Sequence, residues 1–461
     1  MSVITIQSTS VNTTTATHKY NLLKNPRGNK NLYAFWADHI GNHVYYKYST
    51  NNGATWTTPV DDEFGNACYQ SNPYLLSSQC NQFGYDDGTG FRIVQCYSDG
   101  TGNGNDCRIV TAVVTDASED LGSQSDDVLD DTGSTKIVFG QGQSACINGY
   151  WIILYGKKDT TPDAITFYVR LCTIQNPTSA QLVDEANWTT RNGHSLGAYD
   201  LDYINEDFQR TRLIPIRKNG DDHEFVAVWY NPPDVAGGSD TYIYTTRITV
   251  DPTQTGDAKL SAETTRTVAG SGDGDINGNF GVIRDPTDSD VVWISYWKIG
   301  TSFSSVVTKF DFNGGGTPTI TDYTVYSDTN ASVIHGDGGM IYFEQPRNRM
   351  FYLGVEYDSG NTHFDLYTYS WNGSGFTKII KIEDDVGDVG IMRYDGRRKL
   401  DSKLLMNHGS AMWNRDTTSD QDDLVFMDMK FGSRQKVSYG TKQSRVVGGT
   451  AEKKYVVSNV A

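Results

Sequence analysis

The strongest constraint on this chain is a recurrence. Short aromatic and β-branched runs appear seven times: Tyr33-Ala34-Phe35-Trp36, Phe91-Arg92-Ile93-Val94, Trp151-Ile152-Ile153-Leu154-Tyr155, Phe225-Val226-Ala227-Val228-Trp229, Val292-Trp293-Ile294-Ser295-Tyr296-Trp297, Phe351-Tyr352-Leu353-Gly354-Val355 and Leu424-Val425-Phe426-Met427. Their starts are 58, 60, 74, 67, 59 and 73 residues apart, a loose period with insertions. Repetition at this spacing points to one supersecondary unit used again and again. Each run is followed by a polar loop and a second alternating strand, such as Val44-Tyr45-Tyr46-Lys47-Tyr48 or Tyr242-Ile243-Tyr244-Thr245-Thr246-Arg247-Ile248. Turns follow at Asn51-Asn52-Gly53, Asn313-Gly314-Gly315 and Asn372-Gly373-Ser374, each leading into a further short strand. Candidate inner strands precede the runs at Pro73–Leu76, Arg212–Ile216 and Gly339–Phe343.

The unit is thus four antiparallel strands, A to D from the centre outward. The expected fold is all-β, a β-propeller of about seven four-stranded blades. Its ring would be closed by the N-terminal strand Val3-Ile4-Thr5-Ile6-Gln7. A pair of β-sandwiches is the competing architecture, but no Pro- or Ser-rich linker separates the units. Residues 1–440 are read as one domain, and the more basic 441–461 as a tail or partner-docking strand through which a homo-oligomer could form. Composition agrees, with 12% aromatic residues and 46 glycines among many Thr, Ser and Asn, a mixture suited to pleated strands and tight turns.

Between strands C and D of the first unit lies Ser49-Thr50-Asn51-Asn52-Gly53-Ala54-Thr55-Trp56. It resembles the Asp box S-x-D-x-G-x-x-W of sialidase-type propellers, with Asn in place of Asp. In such a turn the Ser and Asx side chains bond the backbone, the Gly takes a positive φ, and the Trp packs between sheets. A second site, Ser370-Trp371-Asn372-Gly373-Ser374-Gly375-Phe376, is degenerate. The resemblance implies architecture and not chemistry, because an Asp box lies on the outer side of the ring, away from the catalytic face. Arg212-Leu213-Ile214-Pro215-Ile216-Arg217 is similar to the R-I-P motif of sialidases but falls in the fourth unit.

The net charge of -17 disfavours nucleic acid and anionic lipid as partners, since both need clustered Lys and Arg. No apolar stretch approaches the ~20 residues of a membrane span, so insertion is not expected. The start Met1-Ser2-Val3-Ile4 lacks the pattern of a signal peptide. The expected location is a virion or the exterior after non-classical release, otherwise the cytoplasm. All six cysteines lie between Cys68 and Cys172, and Cys96 and Cys107 flank a hairpin loop that a disulfide could bridge, with free buried thiols as the alternative.

Function in a propeller normally sits where the D-to-A and B-to-C connections crown one face. Four side chains are candidates for catalysis there: His335, His408, Arg212 and Tyr69. The two histidines each precede an inner strand and suit acid–base work. Asp200 and Asp202, with Glu206, form an acidic loop, and paired carboxylates can serve glycoside hydrolysis. Trp36, Trp229 and Trp297 end B strands, where exposure would let them stack on sugar rings and burial would make them wedges between sheets. Asp273, Asp275 and Asn277 match the first half of a calcium loop, D-x-D-x-N-G, but the twelfth position is Arg284 in place of Glu. Two readings follow. One is a non-catalytic virion surface component that binds host glycans or other virion proteins. The other is a polysaccharide-active enzyme, a glycoside hydrolase or lyase, with its site at the crown.

Overall fold

The computed structural model describes residues 3–11, 20–27, 31–38, 43–58, 82–99, 106–118, 120–130, 142–158, 164–190, 195–200, 211–231, 242–269, 275–299, 302–328, 339–344, 349–358, 363–383, 409–418 and 421–429. The chain enters through β1 (Val3–Val11) and then lays down six sheets, each from strands consecutive in sequence. The first blade holds β2 (Tyr20–Lys24), β3 (Leu32–Asp38) and β4 (His43–Ser49). The second holds β5 (Phe83–Asp86), β6 (Gly90–Asp99), β7 (Asp106–Thr115) and β8 (Ser125–Asp130). The third holds β9 (Gln143–Ile147), β10 (Tyr150–Lys158), β11 (Ala164–Leu171) and β12 (Ser195–Asp200), with the short helix α1 (Ser179–Val183) before its last strand. The fourth has five strands: β13 (Thr211–Asn219), β14 (Asp222–Asn231), β15 (Tyr242–Val250), β16 (Leu260–Ala262) and β17 (Arg266–Ala269). The fifth is β18 (Asp275–Arg284), β19 (Val291–Ile299), β20 (Phe303–Asp311) and β21 (Thr319–Asp328). The sixth is β22 (Met340–Glu344), β23 (Arg349–Asp358), β24 (His363–Trp371) and β25 (Phe376–Glu383). Last come β26 (Gly409–Thr418) and β27 (Gln421–Met429), and β27 pairs with both β26 and β1 in a three-stranded sheet.

The architecture is an all-β propeller. The expected count of about seven four-stranded blades is corrected to six. The seventh aromatic run lies in β27, whose described partners are one local strand and one strand from the other end of the chain, so among the described residues it belongs to no further meander of consecutive strands. The inner strand expected at Pro73–Leu76 lies outside the described residues, and Phe83–Asp86 fills that position in the second blade.

The aromatic runs of the six blades are continuous because the described residues of their B strands are buried on both faces. In β14, Phe225, Ala227 and Trp229 join the core shared with the third blade, whereas Val226 and Val228 join the core shared with the fifth. In β6, Phe91, Ile93 and Tyr97 face the first blade while Val94 and Cys96 face the third. Alternation of side chains across a pleated strand makes every residue of such a run a core residue. Burying each of these large side chains contributes roughly 1.5–3 kcal/mol.

Opposite the crown, arginines tie adjacent blades. Arg27 of the first blade meets Asp86 at 2.9 Å and Asp116 at 2.5 Å in the second. Arg92 of the second reaches Asp87 at 3.2 Å and the Ser179 hydroxyl of α1 at 2.9 Å. Arg247 of the fourth meets Asp290 of the fifth at 2.5 Å, while its Nε and Nη2 hold Glu263 at 2.8 and 2.6 Å.

The turn after β4 forms as its sequence dictates. Ser49 Oγ accepts from Gly53 N at 2.8 Å, Asn51 Oδ1 accepts from Thr55 N at 2.8 Å, and Asn51 Nδ2 donates to Thr55 Oγ1 at 2.8 Å. Gly53 sits at φ 87°, a region only glycine occupies without cost. Trp56 packs partly buried against Leu22, Leu32, Ala34 and Trp36.

Candidate functional site

Inner strands begin, and B strands end, on the same side of an antiparallel meander, so the crown is floored by the first residues of β2, β5, β9 and β13. Polar residues cluster there. Asn21, Gln82, Gln95, Gln143 and Ser144 are each at most 1% exposed. Asn21 Nδ2 donates to the Gln82 carbonyl at 2.8 Å and to Gln82 Oε1 at 3.3 Å, crossing from the first blade to the second. Gln82 Nε2 passes the chain on to Gln95 Oε1 at 2.8 Å, and Ser144 Oγ of the third blade donates to Val94 O at 3.1 Å. Buried amides bonded to one another fix a rigid, uncharged polar floor. Asn and Gln at the start of a strand read in sequence as solvent-facing edges, and only the blade-to-blade register brings them together.

Arg212 supplies positive charge near the start of the fourth blade's inner strand. It is the second residue of β13, half-buried, with Nη1 donating to Thr211 O at 2.7 Å and the guanidinium 5.3 Å over the Phe280 ring of β18. A guanidinium steadied in this way offers a planar fork to a carboxylate.

The other candidates for catalysis, Tyr69, His335 and His408, lie outside the described residues, as do Asp202, Glu206 and Asp273. Asp200 ends β12, its backbone paired with Ala164. The backbone of Asp275 and Asn277 is laddered to Ile299 and Trp297 in β18, an extended course where a calcium loop would turn. Among the described residues no group of three or more His, Cys, Asp or Glu is placed to hold a metal. Trp36, Trp229 and Trp297 are at most 2% exposed: Trp229 lies 5.7 Å from Phe167 of the third blade, whereas Trp297 lies 4.1 Å from Phe303, and Trp36 against Leu22, Leu32 and Ala34, within their own blades.

Tyrosines near the crown are held protonated. Tyr155 donates to Asp130 Oδ2 at 2.9 Å, and burial pushes its phenol well up. Burial pushes Tyr352 up to about 12, with a hydrogen bond to Ser305 acting the other way. Neither is poised as a base at neutral pH. A pair of carboxylates does come together, though not at Asp200: Glu356 and Asp365 are cross-strand partners in the sixth blade. Glu356 accepts from Tyr369 and from Lys378, and Asp365 meets Lys381 at 2.5 Å and Tyr367 at 3.2 Å. With a lysine and a tyrosine on each, these carboxylates brace the sheet.

No family model and no curated protein matches the chain. The sialidase-type resemblance therefore extends no further than the architecture and one turn. Solved structures are similar in fold. One is described as a polysaccharide lyase of a new family, PL25-Ulvanlyase; it matches over 93% of this chain and 96% of its own, at a TM-score of 0.52 and 8% identity. A structure of that lyase bound to -[GlcA(1-4)Rha3S]- matches over the same shares at a TM-score of 0.52 and 9% identity. An α-L-arabinofuranosidase from Fusarium graminearum is a looser match, at a TM-score of 0.45 and 13% identity over 80% of this chain and 98% of its own. At such identities the likeness is one of fold.

Proposed function

We propose that the protein is a polysaccharide-active enzyme with its site at the crown, and that the reaction is β-elimination at a uronic acid. Arg212 carries this reading: a steadied guanidinium at the inner-strand rim is what a uronate carboxylate requires. Neutralising the carboxylate acidifies the C5 proton. A crown base takes that proton, the C4–O bond breaks as C4=C5 forms, and the leaving oxygen receives a proton. Tyr69, His335 and His408 are the residues we assign to proton transfer. The likeness in fold to an ulvan lyase supports this choice over hydrolysis and over the virion-component reading. Its polymer contains glucuronate, the sugar type that Arg212 suits. We further propose that the terminal sheet closes the ring, because β26 lies against both β2 and β22 and β27 takes up β1.

The test is product analysis on a panel of uronate-containing and neutral polysaccharides. Unsaturated oligosaccharides from the uronate polymers support elimination. Saturated products with new reducing ends make the enzyme a hydrolase, and binding without turnover removes the enzymatic reading.

A further inference from the structure

We propose that Cys96 and Cys107 are a disulfide-forming pair that staples the second blade's crown hairpin in an oxidising environment. The two Sγ atoms lie 3.5 Å apart, in contact, on the facing strands β6 and β7, and both residues are about 1% exposed. The ladder pairs Ser98 with Cys107 and Cys96 with Ile109, so the two side chains occupy diagonal positions on one face of the hairpin. A disulfide needs roughly 2 Å where the sulfurs now stand at 3.5 Å, so oxidation draws them together across the diagonal.

The surroundings are built around the pair. Gly142, which leads into β9, rests on Cys96: a Cβ there would stand 2.7 Å from the Sγ and 2.8 Å from the carbonyl. Cys107 lies beside Asp130 and Arg170, and burial with the neighbouring Cys96 pushes its thiol well up. The folded, reduced pair is therefore a poor nucleophile, and oxidation is fastest while the hairpin forms and is slow afterwards. Cys146 and Cys172, the other described cysteines, are also buried and free, so they serve as internal controls.

The chemistry balances with an organic disulfide such as oxidised glutathione. One protein thiolate attacks it to give a mixed disulfide and one thiol. The second protein thiolate displaces the other half, so that two S–H bonds are lost, one protein S–S bond forms and the reagent leaves as two thiols. The staple joins β6 and β7 just before the B-to-C connection of the crown that runs between Asp99 and Asp106. Its effect is to fix the ends of that connection in the oxidised protein.

The experiment is refolding of the full chain under reduced and under oxidised glutathione, followed by alkylation, non-reducing digestion and mass spectrometry. The expected result is a cross-linked Cys96–Cys107 peptide only in the oxidised sample, two fewer alkylated thiols there, and free Cys146 and Cys172. A melting temperature higher in the oxidised sample, with the rise lost in Cys107→Ser, accompanies it. Alkylation of both Cys96 and Cys107 after oxidative refolding overturns the proposal. So does a cross-link that joins either of them to Cys68 or Cys80. Should Cys107→Ser fail to fold, the peptide map of the unaltered protein decides the matter alone.

Discussion

Replacing Arg247 by Met tests whether charge networks opposite the crown hold the blades together. The side chain is 7% exposed and its guanidinium faces three carboxylates: Glu263 at 2.6 Å, Asp290 at 2.5 Å and Glu224 at 3.8 Å. Arg217 also serves this group, 2.7 Å from Glu224 and 3.6 Å from Asp290. Three acids against two arginines leave one net negative charge, and the variant leaves two. Breaking a fully buried pair costs ~3–5 kcal/mol. Glu263 and Asp290 are 31% and 27% exposed, so solvent screens part of the new repulsion. The expected loss is therefore about 2–3 kcal/mol, with Met keeping the contact with Phe312. Urea denaturation measures it, and the double variant with Glu263→Gln should recover part of the loss, since the pair is directly coupled. A variant within roughly 0.5 kcal/mol of the unaltered protein would refute the argument that this seam is held by its ions.

Two further predictions concern turns on the same side. Burial tends to raise the Asp87 carboxyl, but bonds from Thr89 and Gly90 and the charge of Arg92 outweigh it and hold the pKa below 3.8. A depressed carboxyl stabilises the fold above its unfolded pKa, and that stability is lost as pH falls through the folded value. Asp87→Asn should therefore cost about 1 kcal/mol at neutral pH and nothing at pH values below both pKa values, read from denaturation midpoints across the acid limb; an unchanged difference across the limb would contradict this. In the turn after β4, Ser49→Ala removes the acceptor of Gly53 N and should cost ~1 kcal/mol, whereas Asn51→Asp keeps its acceptor and should fall within about 0.5 kcal/mol. Equal losses for both would show that the side-chain acceptors do not hold the turn.

The blades were legible because their signal is local. The six aromatic runs from Tyr33 to Phe351 each became a B strand, since burial on both faces demands an unbroken apolar stretch. The blade count was not, because it turns on long-range pairing: Leu424 is laddered to Gln7 as well as to Asn414. Arg212 was legible as a charged residue opening an inner strand. The floor of Asn21, Gln82 and Gln95 was not, since polar residues 61 and 13 positions apart, the first pair in different blades, carry no local mark of burial. The Glu356–Asp365 pair needed the register of one hairpin, which the spacing of nine residues does not specify.

The most direct test of the account is the steady-state rate of unsaturated-product formation on a uronate polysaccharide by the unaltered protein and by Arg212→Ala and Arg212→Lys. If the guanidinium neutralises the carboxylate in the transition state, Arg212→Ala should lose roughly 10²–10³-fold in kcat, and Lys, a point charge without the fork, should recover only part of it. Circular dichroism should show the fold retained, because Arg212 is half-buried near the start of its strand and belongs to neither apolar core that flanks it. Full activity in Arg212→Ala, or no unsaturated product from any uronate polymer with the unaltered protein, would contradict the account.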